Sequence, residues 1–284
     1  MAMRILVTGS RSQLAAAIVD SFEGLAEVSA RSHRELDIAD AAAVNRQVSE
    51  LEPDVIINCA AYNQVDRAER DPIAALDSNA FGVCALAEAA ASIGATLVHY
   101  GTDFVFDGAA SRPYTEEDEP NPQSVYAVSK LLGDWFARSA PRAFVLRVES
   151  LFGGPAAKSS LDKMVEAILD GREVRAFSDR TVSPSYVVDV SAATRTLLQG
   201  GEPGLYHCVC SGYATWYDIA REIARQIGRP ATIVPVTMKD VPMAAPRPQY
   251  SALSSAKLAR AGVIMPTWQE SVAAYVAKRM KNEE

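Results

Sequence analysis

Short runs of β-branched and aliphatic residues alternate with longer, alanine-rich stretches of helical character through the first half of the chain. RILVT precedes a helix from about Gln13, AEVSA precedes one near Ala41 to Leu51, and DVIINCA is followed by the long segment DPIAALDSNAFGVCALAEAAASIG; ATLVHYGT, SVYAVSKLLGDWFARSA and AFVLRV continue the rhythm. Parallel strands need crossovers of a dozen or more residues, and these helical stretches have that length. The pattern predicts an α/β fold built on a doubly wound parallel sheet. Strands as continuously apolar as VIIN fit a sheet covered on both faces.

After about Arg147 the alternation loosens into a glycine-rich turn, FGGP, a short helix from Ser159, the loop SDRTVSPSYVVDV, and helices near Val187, Thr215 and Thr267. This predicts two units: residues 1–148 form the doubly wound domain, and residues 149–284 form mainly a smaller α/β domain, with a return to the first near 174–200. At 284 residues and 49% hydrophobic content the chain can bury both cores. Its net charge of −7 is scattered, which excludes the basic face that a nucleic-acid partner requires and favours small molecules. No apolar run reaches the length of a membrane span and no signal-peptide pattern opens the chain, so a cytoplasmic location is expected. Cys59, Cys84, Cys208 and Cys210 lack paired CxxC spacing and read as free thiols, and no metal site is expected.

The segment RILVTGSRSQLAAAIVD runs from a strand through a turn into a helix. Such a turn offers unpaired N–H groups and a positive dipole end to a pyrophosphate. The dinucleotide fingerprint has three glycines: one for the tight turn, one for close approach of the phosphate, and one, often alanine, for helix packing. Here Gly9 supplies the first, but Ser12 and Ala15 stand at the other two. Ala15 is a mild departure, whereas Ser12 puts a side chain into the cradle, although its hydroxyl can donate to a phosphate. Past the second strand, ARSHRELDI has Arg31 and Ser32, with Arg34 close by, in position either to meet a 2′-phosphate, favouring NADPH over NADH, or to form a solvated basic loop. Asp37 is placed to contact an adenine.

YAVSK sets Tyr126 and Lys130 four apart on one helical face, where a nearby ammonium favours the tyrosinate and lowers the phenol pKa. Thr102 ends the preceding strand, HYGT, and ligands of open α/β sheets bind outside the carboxyl ends of the strands.

These residues resemble the extended short-chain dehydrogenase/reductases and, within them, the dTDP-4-dehydrorhamnose reductase family. The likeness spans nearly the whole chain: PDVIINCAAYNQVDRAERDP, VHYGTDFVFDG and PYTEEDEPNPQSVYAVSKLLGD carry its centre, GLYHCVCSGYATWYDIA and PRPQYSAL its C-terminal part. It implies a Rossmann domain followed by a substrate-binding domain, and NADPH- or NADH-dependent reduction of a nucleoside-diphosphate 4-keto-6-deoxy sugar. By this resemblance Tyr126 protonates the carbonyl oxygen, Lys130 holds the nicotinamide ribose and depresses the tyrosine pKa, and Thr102 orients the ketone. Cofactor contacts are expected from Gly9, Ser10, Arg11, Ser12, Gln13 and Leu14 in the turn, from Asp37 and Ile38 at the adenine, and from Cys59, Ala60, Ala61 and Tyr62 after the third strand. Asn79 matches the superfamily's helix asparagine, a member of the proton relay or a packing amide. A homodimer is common among such proteins.

Two departures bear on the reaction. Dehydratases of the superfamily carry an Asp-Glu pair after the threonine, whereas Thr102 is followed by Asp103 and Phe104, which disfavours dehydration. Asp103 is either a substrate contact or a turn cap. Rhamnose reductases have an Arg-Thr-Ser-Trp run whose tryptophan lies against the sugar, and this chain reads RVESLFG, with Ser150 in the tryptophan's place. Arg247 is a candidate for the substrate diphosphate or a rim charge. Two other readings stand beside the reductase: a regulatory or binding protein that keeps the fold, as the methionine adenosyltransferase regulatory subunit does, and an epimerase or dehydrogenase of another nucleotide sugar.

Overall fold

The expected alternation folds into one central parallel sheet, seen in a computed structural model that describes residues 2–155 and 158–281. The first half runs β1 (Met3–Thr8), α1 (Gln13–Phe22), β2 (Ala26–Arg31), α2 (Ala41–Leu51), β3 (Val55–Asn58), α3 (Val65–Ala68) and α4 (Pro72–Leu76). A π-helical segment, Asp77–Phe81, joins α4 to α5 (Gly82–Ile93), and β4 (Thr96–Thr102), α6 (Val125–Ala137) and β5 (Ala143–Val148) complete it. The second half contains β6 (Leu151–Phe152), α7 (Ser160–Leu169), β7 (Val174–Phe177), β8 (Thr181–Val182), β9 (Ser185–Tyr186), α8 (Val187–Gly200) and β10 (Gly204–His207). It ends with β11 (Ala214–Thr215), α9 (Trp216–Ile227), β12 (Ile233–Val236), α10 (Ala256–Arg260) and α11 (Trp268–Lys281).

The sheet order is β2-β1-β3-β4-β5-β10, all parallel. Every residue of β3, β4 and β5 is buried, the polar Asn58, His99 and Arg147 included, with α1 and α8 against one face and α2, α5 and α6 against the other. The chain leaves β1 for β2, then crosses back to β3 on the other side, so β1 and β3 flank the point where strand order reverses. Open sheets bind ligands in the crevice at that point.

Residues 149 onward build a smaller unit from the pairs β7–β12, β8–β11 and β6–β9, covered by α7, α9 and α11. The return expected at 174–200 divides differently. β7 stays in the smaller unit, α8 packs on α1, and the strand that rejoins the central sheet is β10, beyond the expected segment. Its short Gly204-Leu-Tyr-His run has no alternation or length to mark it as a strand of that sheet. The helical run Pro72–Ile93 is, at 22 residues, long and apolar enough to cross a membrane, contrary to the expectation that no run reaches that length; 56% of its most apolar window is buried inside the fold. Its apolarity serves packing against α2, α6 and the sheet.

Candidate active site

α6 begins where Ser124, in extended conformation, accepts the Ala127 N–H at 3.2 Å, and this cap fixes the register of the helix over the end of β4. Tyr126 and Lys130 then share the face turned to β4. Gly133 lies one turn further, and a Cβ there would collide with the Asn79 carbonyl, so glycine lets α6 press against the π-helical segment. Lys130 is 3% exposed and donates from Nζ to the Tyr100 carbonyl at 2.6 Å. Tyr126 Oη faces Asn63 Oδ1 at 3.5 Å, and its ring meets Phe104 edge-on, centroids 5.7 Å apart. Thr102, Tyr126 and Lys130 thereby converge on one cleft of about 650 Å³ at the carboxyl ends of β1, β3, β4 and β5.

Burial governs the electrostatics here. Removed from water, Lys130 is pulled down to about 8 even though Asp134 opposes the change. Tyr126 moves the other way from the expectation. Burial and the negative charges of Asp103 and Asp134 push its phenol above the usual range, and Lys130, bound to the Tyr100 carbonyl, does not offset them. A neutral phenol is the form that can donate a proton.

The turn after β1 answers its own anomaly. Gly9 has φ +65°, and a Cβ there would lie 2.6 Å from the Ala60 nitrogen, so only glycine lets the β1 and β3 ends approach this closely. Ser12 caps α1: its hydroxyl accepts the Ala15 N–H at 3.2 Å while its own N–H binds the Gly9 carbonyl. The side chain therefore satisfies the helix instead of filling the cradle. The N–H groups of Gln13 and Leu14, in the first turn, have no chain partner among the described residues and point the helix terminus at the cleft. A second cavity of about 300 Å³ continues past Gly9 and Arg11 to Asp37, Ile38, Cys59, Ala60 and Ala61. These donors and walls fit a dinucleotide, pyrophosphate at the α1 terminus and adenine at Asp37 and Ile38. The Cys59 thiol between the cavities is held neutral by burial.

Several expected contacts are occupied elsewhere. Arg31 gives its Nε to Gln47 Oε1 at 3.1 Å, and Ser32 gives both its N–H (2.8 Å) and its hydroxyl (2.7 Å) to Glu35, so the Ser32 donors expected at a 2′-phosphate already hold an internal carboxylate. The Ser10 N–H is spent on the Arg31 carbonyl. Asn79 uses its amide on the Tyr62 backbone, 2.8 and 3.0 Å, and on the Ser129 hydroxyl at 3.0 Å, which makes it the buried clamp between the π-helical segment, the β3 loop and α6. Tyr62 turns into the apolar cluster around Tyr126, leaving Asn63 to line the cleft. Arg247 forms a bidentate pair with Asp66, 2.7 and 2.8 Å, and lies outside the cleft lining.

Residues not expected from the sequence line the cleft. Arg180, directly before β8, lines the main cleft and a neighbouring cavity of about 350 Å³; its guanidinium lies 5.6 Å from the Phe104 ring centre, and its buried Nε has no hydrogen-bond partner among the described residues. Ser150, Lys158 and Trp216 line the cleft as well. The TVSP loop gave no signal for Arg180, whereas Trp216 begins the helix expected near Thr215, which caps it. Asp103 is not left single: Glu149, in the turn after the neighbouring strand β5, whose Val148 pairs with Thr102, supplies a second buried carboxylate, although it does not line the cleft.

This geometry agrees with what the chain is similar to. The family described as RmlD substrate binding domain matches residues 3–281. The dTDP-4-dehydrorhamnose reductase of Mycobacterium tuberculosis is 36% identical over 284 residues, covering 96% of this chain and 92% of the relative. The chain is a member of the dTDP-4-dehydrorhamnose reductase family. A crystal structure of such a reductase from Clostridium acetobutylicum superposes with a TM-score of 0.94 at 35% identity, covering 98% of this chain and all of the other. The Bacillus anthracis reductase, solved in complex with NADP, gives a TM-score of 0.94 at 29% identity, with 98% and 100% covered. Family membership accounts for a nucleotide cradle and a Thr-Tyr-Lys set on one side of the sheet.

Proposed function

We propose that this dTDP-4-dehydrorhamnose reductase family member reduces the 4-keto group of a nucleoside-diphosphate 6-deoxy sugar. The observation that carries this reading is the meeting of Thr102, Tyr126 and Lys130 in one cleft beside the α1 terminus. The bound nicotinamide, from NADPH or NADH, supplies the hydride. Residues 1–148 hold it: the Gln13 and Leu14 N–H groups and the helix dipole meet the pyrophosphate, Asp37 and Ile38 the adenine, and Lys130 the nicotinamide ribose. Tyr126 donates its proton to the carbonyl oxygen as negative charge develops there, and Thr102 orients that oxygen.

The remaining residues hold the nucleotide sugar. Arg180 takes the diphosphate in this reading, in place of the internally paired Arg247. The cavity that it shares with the main cleft also carries Lys163, Arg172 and Arg175 beside Glu173, and Arg172 is paired with Asp170 at 2.9 Å, so cations outnumber acids there on a chain of net charge −7. The test follows oxidation of NADPH and NADH with dTDP-4-keto-6-deoxy sugars and identifies the product. Arg180→Ala is expected to raise KM about 10- to 100-fold, the loss of one charge-assisted contact, with Arg247→Ala near wild type. Cofactor binding without oxidation by any such sugar would overturn the reading.

A further inference from the structure

β5 ends at Val148, and the turn that follows sends Glu149 inward and Ser150 into the cleft. Ser150 adopts φ +45°, a left-handed backbone that costs a residue with a side chain free energy and is retained where the surroundings demand it. Glu149 is 1% exposed; its carboxyl accepts the Ser183 N–H at 2.7 Å and the Ser251 hydroxyl. Asp103 is nearly as buried. Its Oδ1 accepts the Thr102 hydroxyl at 3.0 Å, and its Oδ2 has no partner among the described residues. The positive group facing both acids is Arg180, which Arg247 in turn repels.

Two buried carboxylates opposite one guanidinium leave a net negative charge in a region poor in water, and a single shared proton removes it. Burial pushes Asp103 up to about 6, and burial together with repulsion from Asp103 pushes Glu149 well above the usual carboxylate range. The pair also has an outlet. The Thr102 hydroxyl joins Asp103 and lines the same cleft as the Tyr126 phenol. Asn79, the other candidate relay, has its amide fully engaged.

We propose that Asp103 and Glu149 hold one proton between them and return it through the Thr102 hydroxyl to Tyr126 after each reduction. This deepens, and rests on, the reductase reading above. Donation to the carbonyl oxygen leaves Tyr126 as phenolate. Thr102 Oγ1 gives its hydrogen to the phenolate and takes the carboxyl proton, so an O–H bond forms at Tyr126, one breaks and one forms at Thr102, and one breaks at the carboxyl. The negative charge ends on the acid pair opposite Arg180. Asp103 lines the cleft, and exchange with solvent there restores the proton. Glu149 touches neither cleft nor substrate and acts as a positioning residue that keeps its partner protonated. The charged side chains facing the phenol from α6 are Lys130, held by the Tyr100 carbonyl, and Asp134, held by Arg147.

The experiment is the pH dependence of kcat for the wild type, Asp103→Asn and Glu149→Gln, each saturated with NADPH, with a parallel infrared pH titration of the protonated-carboxyl band. The wild-type kcat falls as pH rises and the pair loses its proton. Asp103→Asn lowers kcat about 10²-fold and abolishes that limb. In Glu149→Gln the limb moves to lower pH, because the lone Asp103 faces only Arg180 and ionises earlier; a merely structural residue would not move it. The infrared band titrates with the wild-type limb and follows its shift in Glu149→Gln, which keeps the test open should Asp103→Asn fail to fold. An active wild type whose limb both variants reproduce, or one with no protonated-carboxyl band, overturns the proposal. A wild type that binds NADPH but reduces no keto sugar overturns the reductase reading and this proposal with it.

Discussion

Tyr126→Phe is expected to lower kcat by about 10²- to 10⁴-fold, roughly 3–5 kcal/mol of transition-state stabilisation, while NADPH binding is preserved. The substitution deletes one oxygen and nothing else. The ring keeps its edge contact with Phe104 and its place among Ala68 and Ala75, and the Ser124 cap that sets the register of α6 is untouched. Lys130 remains on the Tyr100 carbonyl, so the ribose contact proposed for it is undisturbed. Burial and the neighbouring carboxylates hold the phenol above its ordinary range, hence protonated throughout the neutral region. Any fall of kcat there with rising pH therefore belongs to another group. Steady-state kinetics with calorimetric NADPH binding checks the pair of outcomes; a kcat within tenfold of wild type would remove Tyr126 from the proton-donor role.

The sheet was legible because its signals are local. Apolar strands and crossover lengths each fix an element from a few neighbouring positions. Tyr126 and Lys130 were legible for the same reason, being one helical turn apart. What the sequence hid depends on partners brought together by the fold. Arg180 and Arg247 are both loop arginines, and only the tertiary structure pairs one with Asp66, 181 positions away, and leaves the other facing the cleft. Ser32 reads as a phosphate donor until Glu35 is seen to occupy it. Ser12 reads as an intrusion when the fingerprint is taken as a string of glycines, and as an N-cap once the helix start is placed. Glu149 gave no signal at all, since its acid partner Asp103, in the turn after β4, is brought beside it only by the pairing of β4 with β5.

Asp134→Asn is expected to destabilise the fold by about 3–5 kcal/mol and to shift the pH range of activity downward. Asp134 is 1% exposed, pressed against Gly101 so closely that a Cβ there would sit 2.5 Å from Oδ1, and it accepts from Arg147 Nε at 2.9 Å. Arg147 is itself buried, and its other neighbour, the Phe106 ring, lies 5.3 Å away and cannot replace a carboxylate. His99, 3.7 Å from Asp134, is kept neutral by burial and offers no charge in exchange. Removing the acid thus strands a guanidinium in the core, and denaturant unfolding reads the loss. The same carboxylate lies one turn from Lys130 and is the charge that resists its desolvation. Without it the ammonium, already pulled down to about 8, loses its proton at lower pH. Below both values the lysine is charged in either protein, and the activities approach each other; as pH rises, the variant loses its grip on the nicotinamide ribose first. The kcat/KM profile of Asp134→Asn should therefore fall at lower pH than that of wild type, and superimposable profiles would mean that Asp134 serves Arg147 alone.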